Sequence, residues 1–574
     1  MSSSRPVWYN AATAPCAVCG AEGRPCSRCR VHYYCGPEHQ KQHWRTHRPG
    51  CGTVKLDGDV LVAVKDIPAN TCNMRELPSV VFPCQPHFLQ KPSVVLCVAC
   101  CVDVSKSYSQ CGRCGLPVCD DTCSQSSSHQ GECRVFQEAG FVVPKAHIDD
   151  AGVPVGTAVW ILRGALASLD NPLLEYLHQD LGFGEKPPRR LPAMWETANL
   201  KVNTRAVRYL RDTVGVRRVS ERDLHRAAHV VITYAGISEG PFVVTEFKKQ
   251  AYVGILYVGM SLRKHSCYPN SADRLFRPYS DEFTIVTTRD VSAGQCITTS
   301  RQGGSWDDHT RDRRKNVMMR WGFVCDCERC SDPTELGMYV DSPCCPACAG
   351  NGKQCFLVPV GDTVRNHWSC EGCKKSVPLP KLKAMTKRAE KRLKELSNSS
   401  MEELLKFIAE HSYPRGLLHP THALVLHARK AFMTDYHLRR GMQHLFQLKE
   451  MGVTGSSTRA QREQLGIPVQ YVSGCEEVIR EQLRALNALL PGMTTQRLAL
   501  LCELRWQMLG KLEGLRADAR RLRTQEAGLT VAIMTEAVMD VIKQIRRHFF
   551  FLRDDDEMLQ AVIKNGLPKD CNFF

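Results

Sequence analysis

Hydrophobic rhythm divides the chain into regions of different character. From Val60 to Ala69 the run Val60-Leu61-Val62-Ala63-Val64-Lys65-Asp66-Ile67-Pro68-Ala69 predicts a half-buried strand that stops at a turn. Val159, Leu162, Leu166 and Leu169 recur every three or four residues, the spacing of one helical face. Two further stripes predict helices near the end: Leu501, Leu504, Met508, Leu512 and Leu515, then Val531, Met534, Val538, Val541 and Ile545. A helix over Lys381–Leu396 is rich in Lys and Arg and reads as a solvated face, although such a face could also meet an acidic partner. Strands therefore precede a helical remainder, and the fold class predicted is α+β multidomain. At 574 residues the chain is long enough for several cores.

No stretch approaches the ~20 apolar residues needed to span a bilayer. Met1 to Pro15 carries no apolar run suited to a signal peptide. The expected location is cytoplasmic, nuclear or both, with no membrane partner. The last four residues, Cys571-Asn572-Phe573-Phe574, have the outline of a prenylation signal, but their inner residues are poor aliphatics.

Thirty cysteines change the picture. With nothing directing secretion, disulfides are not the expectation. Most of the cysteines fall in Cys-x2-Cys pairs with histidines nearby, which is the spacing of zinc ligands. The formal charge of +17 points toward acidic partners, but thiolates bound to zinc carry negative charge that this sum ignores. Charge alone decides nothing.

The first cluster reads Cys16-x2-Cys19, Cys26-x2-Cys29, Cys35-x3-His39 and His47-x3-Cys51. Eight ligands make two closed four-ligand sites, the structural arrangement. Their order resembles a MYND finger, whose sites interleave. That resemblance implies that Cys16, Cys19, Cys35 and His39 hold one ion, and Cys26, Cys29, His47 and Cys51 the other. A second cluster, Cys97, Cys100, Cys111, Cys114, Cys119, Cys123, His129 and Cys133, repeats the logic with different gaps, and Cys101 could replace Cys100. Further on, Cys325, Cys327 and Cys330 lack a local fourth ligand. Cys345, Cys348, Cys370 and Cys373 form a zinc-ribbon pair, with Cys344 as an alternative ligand.

The layout from Cys16 to Cys373 resembles the SMYD family of SET-and-MYND proteins, and its doubled zinc cluster most resembles the arthropod SmydA branch. The segment Lys264-His265-Ser266-Cys267-Tyr268-Pro269-Asn270 is similar to the family's Asn-His-Ser-Cys-x-Pro-Asn motif, which implies Cys267 as the missing fourth ligand. Phe283-Thr284-Ile285-Val286 and Val291-Ser292-Ala293-Gly294-Gln295 look like the last SET strands, and Cys330-Ser331-Asp332-Pro333-Thr334-Glu335-Leu336-Gly337 is close to the post-SET pattern. The resemblance implies a MYND finger over 1–54, the first part of a β-rich SET domain over 55–96, and a second MYND-like cluster inserted over 97–135. A helical insertion would follow over 136–232, the SET core over 233–310, and the post-SET segment with a zinc ribbon over 311–380. The remainder, 381–574, would be a TPR-like helical domain. His419-Pro420-Thr421-His422 looks like a linker there, its histidines caps or packing residues.

Members of the family transfer a methyl group from S-adenosylmethionine to lysine in a narrow, dry channel. By resemblance Gly58, Lys264, His265 and Phe323 would bind that cofactor. The glycine turn reads Gly58-Asp59-Val60, so a β-branched residue replaces the second glycine. Lys264 replaces the motif's Asn, yet could reach the cofactor's carboxylate. Arg301 and Trp321 stand where the family places its two tyrosines, and no tyrosine occurs between Tyr279 and Tyr339. If Arg301 points into the channel it opposes both sulfonium and lysine. Two unit charges ~4 Å apart repel by roughly 4 kcal/mol at an effective dielectric of 20. Turned outward, or lowering the lysine's pKa, the same arginine would spare the chemistry.

Two functions are therefore expected to compete. One is a protein-lysine N-methyltransferase. The other is a SET scaffold with a degraded active site that acts in transcriptional or chromatin regulation. Its MYND finger would dock proline-rich peptides, and histones or chromatin regulators would be its partners. Direct DNA binding ranks last, because no cluster has the form of a base-reading finger.

Overall fold

The computed structural model describes residues 14–19, 21–29, 32–58, 60–76, 80–83, 95–150, 153–170, 200–234, 236–239, 252–274, 283–301, 305–321, 323–361, 367–396, 401–433, 469–492 and 495–548. Asp59, Tyr279 and Cys571–Phe574, which figure in the sequence patterns above, lie outside these residues. The chain forms two compact units. One comprises Met1–Lys264, Asn270–Thr299 and Val317–Val324; the other His265–Pro269, Ser300–Asn316 and Cys325–Phe574.

The first unit opens with a three-stranded sheet of short strands, Ala14–Pro15, Glu22–Pro25 and Tyr33–Tyr34, followed by the helix Pro37–His47. Pro37 at the helix start costs no hydrogen bond there, and the helix carries His39 in its first turn and His47 in its last. A hairpin follows, Val54–Asp57 paired with Val60–Ala63. The tight turn needs a positive φ, which Gly58 supplies at +63°.

This strand departs from the expected alternation. Leu61, Val62 and Ala63 are all buried, and the strand ends there. Its second edge is paired as well: the Leu61 N–H donates to Leu262 O, and the Ala63 N–H to Gln295 O. Ile67 returns to the core through a bridge to Val291.

Two further three-stranded sheets complete the strand scaffold. Gly236–Glu239, Tyr252–Leu256 and Val80–Pro83 form one; Ser271–Arg274, Phe283–Thr287 and Cys72–Glu76 form the other. Every pairing in these two sheets is antiparallel, and two of the four join segments far apart in the chain. Gly254 faces Phe82 so closely that a Cβ there would lie 1.8 Å from the ring. Residues 95–234 enter between two strands that pair, Val80–Pro83 and Tyr252–Leu256.

That insertion has its own core. Cys97, Cys111, Cys114 and Cys133 pack with Val159, Leu162 and Ala165 of the helix Val155–Asp170, and with Leu210 and Leu224. Leu166 is half-buried and Leu169 exposed, so the apolar stripe weakens toward the helix end.

The second unit holds the ligand segment Cys325–Cys330, a three-stranded ribbon of Leu357–Pro359, His367–Cys370 and Ser376–Pro378, and then helices. These include Leu379–Glu395, Met401–His411, Val469–Leu489, Thr495–Leu522 and Gln525–His548, the last three packed in succession. The stripe of Leu501, Leu504, Met508 and Leu512 is buried, as are Val538, Val541 and Ile545. Among the described residues no helix is long and apolar enough to cross a membrane.

Candidate metal centres and active-site residues

Four thiolates or imidazoles around a tetrahedral zinc at ~2.3 Å stand ~3.8 Å apart, whereas a disulfide brings sulfurs to ~2.05 Å. The cysteines follow the first pattern. In the first finger Cys19 and Cys35 sulfurs lie 3.6 Å apart and Cys26 and Cys51 3.9 Å apart. His39 Nδ1 is 3.0 Å from Cys35 Sγ, and His47 Nε2 is 3.1 Å from Cys29 Sγ. The groups so formed are Cys16, Cys19, Cys35, His39 and Cys26, Cys29, His47, Cys51, each with all ligand atoms within 4.8 Å of one another. The local fold favours thiolate: burial raises the Cys16 pKa, but backbone N–H groups of Cys19, Val18 and Cys35 outweigh it and hold the thiol down to about 6.

The inserted cluster gathers in the same way. Cys97, Cys100, Cys119 and Cys123 form one group, Cys111, Cys114, His129 and Cys133 the other. Cys100 and Cys119 sulfurs are 3.5 Å apart, Cys111 and Cys133 3.9 Å. Cys101 turns with φ +61° into the strand core instead. Burial raises the Cys111 pKa, yet the Ser124 hydroxyl at 3.3 Å and the Arg113 N–H bring it down to about 5.

Two residues here are announced by no sequence motif. His129 shares a hydrogen bond through Nδ1 with Glu132, and Arg163 grips the same carboxylate. Arg163 also donates to Val81 O and Val98 O. All three side chains are buried. The spacing of His129 and Glu132 along one helical face is visible in the chain, but Arg163 lies 31 residues from Glu132 and nothing local signals the pairing.

In the second unit Cys267, Cys325, Cys327 and Cys330 form a further group within 4.8 Å. Cys267 Sγ is 3.9 Å from Cys325 and 3.6 Å from Cys330. Behind it Arg313 donates to Cys330 Sγ at 3.7 Å. Arg313 and Arg329 both meet the Glu335 carboxylate at 2.8 Å, and all three are fully buried. In the ribbon, Cys345 lies 3.7 Å from Cys373 and Cys348 3.6 Å from Cys370. Cys344 is pushed up to about 12 by burial and by Cys345 and Cys355, and its N–H donates to Leu417 O.

The residues expected around the cofactor are distributed between the units. Gly58, Lys264, Trp321 and Phe323 belong to the first, His265 and Arg301 to the second. Gly58 has open space where a Cβ would project. Lys264 is exposed and Phe323 is 39% exposed. Trp321 packs partly buried on the strand core.

Both ring nitrogens of His265 are engaged. Nδ1 accepts the Arg301 N–H at 3.1 Å, which leaves the ring proton on Nε2, 3.5 Å from Cys267 Sγ. Burial pushes His265 down to about 4, helped by the charges of Arg301 and Arg313 against that of Cys327. The Arg301 charge is therefore felt at His265. Asn270 is committed to the neighbouring backbone, its Nδ2 donating to Cys296 O at 2.9 Å and its Oδ1 accepting the Thr298 N–H at 2.7 Å.

The comparisons with known proteins agree with this anatomy. Residues 16–51 match the MYND finger family. The chain is 26% identical over 362 residues to the SET domain-containing protein SmydA-8, isoform A, of Drosophila melanogaster, covering 62% of this chain and 71% of that protein. A 78-residue stretch is 33% identical to the histone-lysine N-methyltransferase SET5 of Meyerozyma guilliermondii, covering 13% of this chain and 16% of that one. Clustered zinc ligands, a MYND finger and a mixed helix and strand scaffold define a multi-zinc protein whose finger is a protein–protein interaction module. The chain thus carries a MYND finger and is similar over much of its length to SmydA-8, a SET domain-containing protein.

Proposed function

We propose that this chain is a zinc-organised SMYD-like regulator whose SET scaffold has a degraded active site and which acts through protein contacts in transcriptional or chromatin regulation. In this reading the ligands are the six groups described above, six ions in all, and the domain limits are those expected from the sequence. Zinc supplies folding free energy in such sites, roughly 10–16 kcal/mol each in small peptides at neutral pH.

The observation that carries the reading is the Arg301–His265 contact. The Arg301 main-chain N–H bonds His265, so where a family tyrosine would supply a hydroxyl this chain places a cation, whose charge adds to the burial that lowers His265. Trp321 likewise lacks the hydroxyl that would orient an amine. The residues fit S-adenosylmethionine only in part. Gly58 and the exposed Phe323 favour it, and Lys264 would meet its carboxylate. His265 has no ring nitrogen left to offer.

Retained lysine methyltransferase activity is the alternative, favoured by the open glycine turn and by the methyltransferase names of yeast relatives. The two separate in a melting experiment on zinc-loaded protein with S-adenosylmethionine, followed by calorimetric titration. A ligand at 100 times its dissociation constant stabilises by roughly 2.7 kcal/mol. The proposal expects no shift up to about millimolar cofactor, which corresponds to binding weaker than ~4 kcal/mol. A clear shift with methyl transfer to lysine would overturn it. The MYND finger is expected to dock proline-rich peptides, with histones or chromatin regulators as partners in the cell.

A further inference from the structure

The second unit holds a cavity of about 690 Å³ that borders one zinc group at Cys330 and is lined by none of the expected cofactor residues. Its volume lies within the range of small-ligand sites, roughly 300–1,000 Å³. One wall is apolar, built from Trp368 of the ribbon, Leu379, Leu382 and Leu393 of the helix Leu379–Glu395, and Leu424.

The polar groups are unevenly provided for. Four of the five carboxylates at the cavity already have a donor, and the fifth, Asp312, lies beside a guanidinium. Asp341 accepts from His309 Nδ1 at 2.6 Å and from the Thr310 N–H. Glu335 is held by Arg313 and Arg329. Asp332 caps the Thr334 and Leu336 N–H groups at 2.8 and 2.9 Å. Glu390 accepts from the Thr386 hydroxyl at 2.8 Å, and Asp312 faces Arg311 at 3.7 Å.

Donors are left over. His422 is 1% exposed and lines the cavity. Its Nδ1 accepts the Leu424 N–H at 3.2 Å, so the ring proton sits on Nε2. Among the described residues that Nε2–H has no acceptor. Burial, helped by His309, keeps the imidazole neutral, so it offers this single N–H and cannot shed the requirement by charging. On the helix Leu379–Glu395, Lys383 and Lys394 lie eleven residues apart, three helical turns on one face, and both border the cavity. Neither has an ion-pair partner among the described residues.

We propose that this cavity binds a ligand carrying a carboxylate on an apolar stem, with the carboxylate at the His422 Nε2–H and the ammonium groups of Lys383 and Lys394, and the stem against Trp368 and the leucines. A cationic ligand would be repelled by the ammonium groups of Lys383 and Lys394. The same chemistry is offered by a small aryl or acyl acid and by the C-terminal end of an apolar peptide.

The test is calorimetric titration of the zinc-loaded full chain with 4-phenylbutyrate, 4-phenylbutanol and 4-phenylbutylamine, and with acetyl-Leu-Leu-Phe as free acid and as amide. The acids are expected to bind about tenfold or more tighter than the uncharged analogues, and the amine not at all, because charge-assisted hydrogen bonds are the stronger kind. A tighter peptide acid identifies a chain terminus as the source; a tighter phenylbutyrate identifies a small acid. Lys383→Met with Lys394→Met, both at exposed positions, is expected to weaken the acids about tenfold while leaving zinc content unchanged. His422→Phe should do the same. An acid-dependent shift of the His422 Nε2 signal in 15N spectra locates the contact even if that variant folds poorly. Equal affinity for acid and alcohol, or no binding of either acid up to about 10 mM, or full affinity in the lysine variant, would overturn the proposal.

Discussion

Glu132 accepts a hydrogen bond from His129 Nδ1 at 2.9 Å, one helical turn away, and so turns the other ring nitrogen toward Cys114, 3.5 Å off. A carboxylate behind a metal-binding imidazole sets its tautomer and strengthens it as a ligand. Burial alone would raise the pKa of Glu132; the Arg163 charge and the His129 bond hold it below the usual carboxylate range. Arg163 carries the link onward to the carbonyls of Val81 and Val98, so the inserted cluster is tied to the strand scaffold through one guanidinium.

Glu132→Gln should therefore weaken one zinc ion by 10–100-fold, a typical cost of losing such a partner. It should also cost about 3–5 kcal/mol of stability, because Arg163 stays buried without its counter-charge. Competition with a chromophoric chelator reads the first effect and denaturant unfolding the second. Unchanged zinc release would show that Glu132 does not orient His129.

Cys267→Ser should release about one zinc equivalent and destabilise the post-SET segment, since its other three thiolates come from Cys325, Cys327 and Cys330. Metal content by atomic spectroscopy, compared with Cys296→Ser as a cysteine outside every group above, checks this. Full zinc content in Cys267→Ser would remove that residue from the site.

Glu335→Gln leaves Arg313 and Arg329 buried side by side with no carboxylate between them. A loss of about 3–5 kcal/mol is expected in denaturant unfolding. The Arg313→Met, Arg329→Met, Glu335→Leu triple variant should recover much of it, because removing all the buried charges also removes their desolvation cost.

Replacing Arg301 by Tyr removes the cation that His265 feels and restores a hydroxyl. S-adenosylmethionine affinity should rise about tenfold or more. Arg301→Tyr with Trp321→Tyr should exceed Arg301→Tyr alone in methyl transfer to a lysine peptide. If wild type already transfers methyl groups at an ordinary enzymatic rate and neither variant improves on it, the degraded-site reading fails.

The His309–Asp341 pair sets a pH dependence with a definite sign. Burial opposes charge on both, but the mutual bond raises His309 and lowers Asp341 to about 2. The depressed Asp341 contributes stability that is present above its unfolded pKa near ~3.9 and is lost as pH falls toward about 2. The raised His309 contributes stability that is present below ~6.5 and is lost as pH rises through its folded value. Wild type should thus exceed Asp341→Asn most between about pH 4 and 6.5. Unfolding curves of both proteins across pH check this; a difference that grows above pH 7 would contradict the assignment.

Much of the metal chemistry is legible in the chain itself. Close spacing such as Cys16-x2-Cys19 places two thiols on one tight knuckle, and a helix carrying His39 and His47 adds the remaining donors at fixed offsets. The same reasoning finds the ribbon cysteines and the long C-terminal apolar stripes, because their partners lie within one or two turns. It fails where burial comes from both sides. Alternation predicts a single buried face at Leu61–Ala63, but Leu61, Val62 and Ala63 are all buried.

Ligand spacing and periodicity are local properties, so the order of amino acids alone settles which residues can be ligands and which segments are strand or helix. Three relationships come from tertiary packing and from nothing nearer along the chain. Arg163 meets Glu132, His265 Nδ1 meets the Arg301 N–H, and His422 is buried at a cavity wall. Each depends on groups far apart in the chain finding one another. A buried charge or donor gains its meaning from the partner present or missing there, and no local pattern records that partner.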